Sequence, residues 1–140
     1  MTPTFYMTPM RMFTAKSKDP VLFEQLGGKP AVDVVVENFY EKILSDEKVN
    51  FMFEKTDMKK QKRHMKGFIT MAFGGPSLYT GETMRKVHAK VNKDAYPTED
   101  HFGVVGGHLV ATLQELDVAQ DLIDQVVVVV HSVKDDVLGK

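Results

Sequence analysis

Between residues 30 and 44 the apolar side chains fall at Val32, Val35, Val36, Phe39 and Ile43, the three-and-four spacing of a helical stripe, while Asp33, Glu37 and Glu41 occupy other faces. The same spacing returns between residues 57 and 73 through Met58, Met65, Phe68, Ile69 and Ala72. Further helices are predicted from about Glu82 to Asn92, from Thr98 to Leu116 and from Gln120 to Leu138. Gly27-Gly28 and Gly74-Gly75 mark tight turns, and Pro30 suits the first turn of the helix it opens. Thr98, followed by Glu99 and Asp100, offers a capping hydroxyl and early negative charge to the fourth helix.

Two stretches argue for strand. Val126 to Val130 and Val34 to Val36 are β-branched throughout, which by propensity alone would make buried strands. In a helix, however, valine is only slightly unfavourable, and tertiary burial overrides that preference. The expected fold class is therefore all-α.

The 140 residues suffice for one domain, read as residues 20 to 140. Residues 1 to 19 differ: no acidic residue precedes Asp19, while Arg11, Lys16 and Lys18 are basic. Such a leader reads as an organellar transit segment or as a poorly ordered tail, which places the protein in the mitochondrial matrix or in the cytoplasm. With 18 Lys and Arg against 19 Asp and Glu, the chain has no electrostatic case for nucleic acid or for an anionic membrane. No apolar run approaches the length of a membrane-spanning helix, so a soluble protein is expected. The absence of cysteine excludes disulfides, thiolate metal sites and cysteine nucleophiles.

Chemistry must then come from other groups, and the five histidines are the main resource. His101 and His108 lie seven apart on one helical face and could share a metal, but no third ligand follows at one-turn spacing and HExxH is absent. There is no Gly-x-Ser-x-Gly elbow, and Gly27-Gly28-Lys29 lacks the spacing of a phosphate loop, which leaves it as a helix-ending turn. Gln61 shares a face with Met65, Phe68 and Ala72, and Tyr40 sits near the edge of its apolar stripe. A buried amide and a buried phenol each need a hydrogen-bond partner, either each other, the backbone or a ligand. His88, in "GETMRKVHAKVNK", is either a polar residue on a solvated helix or a ligand.

Taken in order, "LFEQLGG", "VENFYEKIL", "FMFEKTDMKKQ", "AFGGP" and "MRKVHAK" resemble the successive signatures of group I truncated hemoglobins, the short two-over-two helical globins. The resemblance runs from Val21 to the C-terminus. It implies a two-over-two globin sandwich around a heme b, with His88 as the proximal iron ligand. It also implies that Phe53 packs on the porphyrin and that Phe68 and Met65 line the pocket. Tyr40 would donate its hydroxyl to dioxygen at the iron, supported by the Gln61 amide. Met65 stands where many relatives carry a second distal glutamine, and a thioether cannot donate a hydrogen bond.

His64 stands where some cyanobacterial relatives supply a sixth iron ligand. Lys59, Lys60, Lys62 and Lys86 are candidates to meet the heme propionates, Lys60 foremost. Some cyanobacterial relatives attach the heme covalently through a histidine near the C-terminus. His131 is the nearby candidate, but its spacing from "DLI" does not match, so non-covalent heme is expected. The function implied is dioxygen binding with oxidation of nitric oxide, in a monomer served by an external electron donor or reductase. Two alternatives stay open: a bis-histidyl electron-transfer or redox-sensing heme protein using His88 and His64, and a helical interaction module without heme.

Overall fold

The computed structural model describes Glu24 and residues 27 to 77, 79 to 92 and 97 to 140. The expected leader lies outside the described residues. Among them the chain is helical and contains no strand: α1 (Lys29–Leu44), a short 3₁₀ helix (Asn50–Phe53), α2 (Met58–Ala72), α3 (Gly81–Asn92), α4 (Glu99–Glu115), α5 (Gln120–Ser132) and α6 (Lys134–Leu138). The valine runs are helical, with Val34 and Val128 exposed. Val35, Val36 and Val126 are buried in the core.

Helix boundaries follow local chemistry. Pro30 lies in the first turn of α1, where its missing N–H has no intrahelical partner to lose. The Asp57 carboxylate accepts the backbone N–H groups of Lys59 and Lys60 and so starts α2. At the other end, Gly74 takes a φ of 80°, and the N–H groups of Gly74 and Gly75 donate to Met71 and Thr70. This pairing of two orphan carbonyls is a Schellman ending, and its left-handed position suits glycine. α4 ends the same way with Asp117 in the left-handed position, as Asp117 and Val118 donate to Gln114 and Leu113.

The N-terminus of α4 carries the expected cap with an unexpected partner. Thr98 Oγ1 accepts from the His101 backbone at 3.3 Å, and the His101 ring Nδ1 accepts from the Thr98 backbone at 3.0 Å. An imidazole thus fills the role usually taken by Glu or Gln in a capping box. Thr98→Ala should lower the unfolding free energy by about 1 kcal/mol in a denaturant titration, leaving the heme spectrum unchanged. Undiminished stability would show that the cap does not hold α4.

One expected helix is two. The segment from Gln120 to Leu138 breaks at Val133, which closes α5 and opens α6 with φ −105° and ψ 8°. Ser132 Oγ donates back to the Val129 carbonyl at 2.6 Å, offering the last turn of α5 an alternative to continuing. Val133 is itself buried, so the kink turns an apolar side chain inward.

α1 packs on α2 and on α4, α4 on α5, and α3 on α6. Val36, Ile43, Ile69, Phe73, Leu113, Ile123 and Val126 are almost wholly excluded from solvent at the centre. Ion pairs stitch the elements at the rim: Lys42–Glu115 joins α1 to α4 and Lys134–Glu99 joins α6 to α4. Exposed pairs of this kind contribute little each, so the apolar core holds the fold.

Candidate functional site

α1 carries Tyr40 into the interior with 2% of its surface exposed, deeper than the stripe's edge suggested. Its ring packs edge-on against Phe39 at 4.9 Å and against Phe53 at 5.9 Å between centroids. The 3₁₀ helix delivers Phe53, which is part-buried. From α2, the Gln61 amide donates to the Tyr40 oxygen at 3.1 Å. Burial drives the Tyr40 phenol well above its ordinary pKa, with the Gln61 hydrogen bond opposing weakly. The phenol therefore keeps its proton at any physiological pH. Its oxygen is engaged by Gln61, and no acceptor for its O–H occurs among the described residues.

Met65 and Phe68 follow on the same face of α2, Met65 part-buried and Phe68 buried. His64 lies one turn beyond Gln61 with its ring edge-on to Tyr79 at 6.4 Å. Lys60 is exposed and has no ion pair among the described residues, whereas Lys62 pairs with Glu37 and Lys86 with Glu82. Lys59 is likewise exposed and without an ion pair among the described residues.

α3 presents His88, part-buried, with Nδ1 at 2.9 Å from the Met84 carbonyl. A carbonyl can only accept, so Nδ1 carries the proton and Nε2 is left with a bare lone pair. Burial holds the His88 pKa below the usual histidine value, and the Met84 hydrogen bond offsets part of that shift. The ring is thus neutral near pH 7, and Nε2 has no partner among the described residues.

Tyr79 was not singled out from sequence, yet it spans the gap between α2 and α3. Its ring contacts Phe68 at 6.0 Å as well as His64, and its hydroxyl reaches the Met84 sulfur at 3.8 Å. Burial pushes its phenol up to about 12. Ser77 fixes the approach, donating to the Gly67 carbonyl at 2.9 Å and accepting from the Tyr79 backbone at 3.1 Å. A Cβ at Gly67 would lie 3.1 Å from the Tyr79 ring, so a side chain there requires Tyr79 to shift by a few tenths of an ångström. The sequence signal was slight, a lone aromatic in the polar loop "PSLYTG". Three residues before His88, Arg85 pairs with Asp136 of α6 and donates to the Lys140 carbonyl, which pins the helix that bears His88.

The remaining histidines are used elsewhere. His101 caps α4, while His108 Nε2 meets the Asp46 carboxylate at 2.7 Å, so the two do not share a metal. No cluster of three His, Cys, Asp or Glu able to hold a metal occurs among the described residues. His131 is exposed, lies against Phe102, and lines an apolar cavity of about 190 Å³ between α4 and α5. Tyr40, Gln61 and His88 do not line that cavity.

Comparison with known proteins decides what this arrangement belongs to. The family model of bacterial-like globins matches residues 21–138. A group 1 truncated hemoglobin of Synechocystis is 43% identical over 108 residues, covering 77% of this chain and 87% of its own length. One from Tetrahymena thermophila is 37% identical, covering 88% and 98%. The chain belongs to the group 1 truncated hemoglobins. Its fold matches the 2/2 hemoglobin of Synechococcus, solved in the cyanomet state with covalently attached heme, at TM-score 0.80 and 49% identity, covering 86% of this chain and all of that one. It also matches the Tetrahymena pyriformis truncated hemoglobin in its Fe(III) form at TM-score 0.75 and 36% identity, over 86% of this chain and all of that one.

As a truncated hemoglobin the protein is a heme protein, which removes the interaction module without cofactor. The donor set fits the group. A neutral imidazole with one tethered and one bare nitrogen suits an axial iron ligand, and a buried phenol proton with no acceptor among the described residues suits a polar ligand.

Acid should therefore release the heme. His88 titrates lower in the folded chain than when unfolded, so its contribution is present above about pH 6.5 and lost as pH falls through the lowered folded value. A protonated imidazole cannot ligate iron. Transfer of hemin to a scavenging apoprotein should accelerate as the pH falls through the lowered His88 value, below about pH 6.5; a rate that stays flat until the chain unfolds in acid would exclude histidine ligation.

Proposed function

We propose that this truncated hemoglobin binds dioxygen at its heme and uses it to oxidise nitric oxide to nitrate. The heme iron supplies reversible dioxygen binding and the accompanying redox chemistry. The observation that carries the proposal is the Tyr40 hydroxyl, buried, protonated and held by Gln61, with no acceptor for its own proton among the described residues. A donor fixed in a dry pocket stabilises developing negative charge more than the same donor in water, because no solvent must reorganise around it. Gln61 orients that phenol. Met65, Phe68 and Phe53 exclude water, and His88 provides the axial nitrogen from a ring locked by Met84. Because Met65 cannot add a second donor, oxygen is held less tightly than by a pocket with two distal amides.

The balance is one nitric oxide, one dioxygen and one electron giving one nitrate. The chain resembles no flavin or nicotinamide module, so the electron comes from an external donor or reductase. Mixing the oxygenated protein with nitric oxide should give one nitrate and one ferric heme per protein within the mixing time. Slow oxidation, or nitrite as the main product, would refute the reaction.

His64 decides the competing bis-histidyl reading. Its ring lies against Tyr79, a contact that favours an open sixth position. The gas-free ferrous protein should be five-coordinate and high-spin; a six-coordinate low-spin spectrum that His64→Leu abolishes would establish electron transfer or redox sensing instead. We also propose that the heme is bound without a covalent link. In support, His131 packs on Phe102 and lines the α4–α5 cavity, while the residues assigned to the pocket lie on α1, the 3₁₀ helix, α2 and α3.

A further inference from the structure

The charges on α2 run against the electrostatics of its own fold. The helix carries Lys59, Lys60, Lys62, Arg63 and Lys66 and no acidic residue, in a chain that has 18 basic and 19 acidic residues in all. Two of the five are neutralised from α1, Lys62 by Glu37 at 3.0 Å and Lys66 by Asp33 at 3.2 Å. Lys59, Lys60 and Arg63 are exposed and have no ion pair among the described residues. Lys59 and Lys60 occupy the first turn, where the positive end of the helix disfavours cations. Lys59 and Arg63 also repel one another at a separation of four, and Lys60 and Arg63 at a separation of three. The adjacent Asp57 carboxylate is engaged by the Lys59 and Lys60 backbone N–H groups.

Stability would place acidic residues at these positions. A propionate would account for Lys60, the foremost candidate to meet one, but not for Lys59 and Arg63, which lie on the helix face opposite Gln61, Met65 and Phe68 and so call for a purpose outside the fold. The same helix turns Gln61, Met65 and Phe68 toward the heme side, which puts the charged face about one helix diameter, roughly 10 Å, from the pocket residues. With overall charge near zero, only a local patch can steer a partner.

We propose that Lys59 and Arg63, with Lys60 at their edge, form the docking surface for an acidic electron-donor protein. The inference rests on the heme reading above and names the partner that reading requires. The donor's flavin or iron–sulfur centre is oxidised by one electron and the ferric iron is reduced by one, with no atom or proton transferred. An anionic membrane is the poorer match for this surface. A membrane-seated helix inserts its apolar face, and on α2 that face is committed to the core through Phe68, Ile69 and Ala72.

The test uses the heme-loaded ferric protein and a photoreduced acidic two-iron ferredoxin as probe, with Lys59→Glu/Arg63→Glu as the variant. At low salt the reversal should slow bimolecular reduction by about tenfold or more and abolish its fall with added salt. Reduction by a neutral free flavin should not change, and the melting temperature should hold or rise, since a glutamate at position 59 favours the helix N-terminus. An unchanged ferredoxin rate and salt slope would overturn the proposal. So would an equal slowing with both reductants, or loss of binding to phosphatidylserine vesicles with the ferredoxin rate intact. If the unmodified chain fails to take up hemin, seen before any donor is added, the heme reading itself falls.

Discussion

With His88 replaced by glycine, the protein is expected to lose its hold on heme, its affinity for hemin falling by more than about 100-fold, since altering even the partner of a metal ligand costs 10- to 100-fold. Ligation of iron by His88 would rest on three features. The Met84 carbonyl fixes the tautomer, burial keeps the ring neutral, and α3 is anchored through Arg85 and Asp136 so that the ring does not wander. Glycine removes the ring and leaves its volume open, so added imidazole should enter and restore a nitrogen-ligated spectrum. Rescue separates loss of a ligand from loss of fold, because imidazole cannot repair an unfolded helix. Unaltered affinity and Soret position in His88→Gly would remove His88 from the iron.

Tyr40→Phe is expected to speed oxygen release by roughly ten- to a hundredfold, the range that corresponds to losing one hydrogen bond to a charged group. The substitution removes a single oxygen atom from a ring that stays packed between Phe39 and Phe53. Carbon monoxide, which develops less charge on binding, should be affected less. Gln61→Leu should act in the same direction with a smaller effect, since it frees the phenol without deleting its proton. Stopped-flow displacement of oxygen by carbon monoxide measures both variants. Unchanged release in Tyr40→Phe would take the phenol out of the ligand's environment.

The helices were legible in the sequence because burial and periodicity agree. Val32, Val35, Val36, Phe39 and Ile43, spaced for one helical face, are all within the core. Where local signals conflict, only packing decides. The valine run from 126 to 130 lacks a breaker, and the bend at Val133 follows a Ser132 whose hydroxyl turns back to Val129, a contact no periodicity announces. Histidine is a poor guide for the same reason: His101 and His108 share a helix, but one ring caps its start and the other crosses to Asp46.

For the site, order and spacing of short motifs brought out Tyr40, Gln61 and His88, and the Tyr40–Gln61 hydrogen bond resolved a pairing that the sequence left open. Tyr79 escaped notice because its contacts with His64, Phe68 and Met84 are all made across a turn. No periodicity encodes such a meeting.

The most direct measurement is a titration of the heme-free protein with hemin, followed by visible absorption. One equivalent should saturate the chain and give an imidazole-ligated spectrum that reduction and oxygen convert to a stable oxygenated form. Continued binding beyond one equivalent with the broad spectrum of free hemin would contradict the assignment of His88 to the iron.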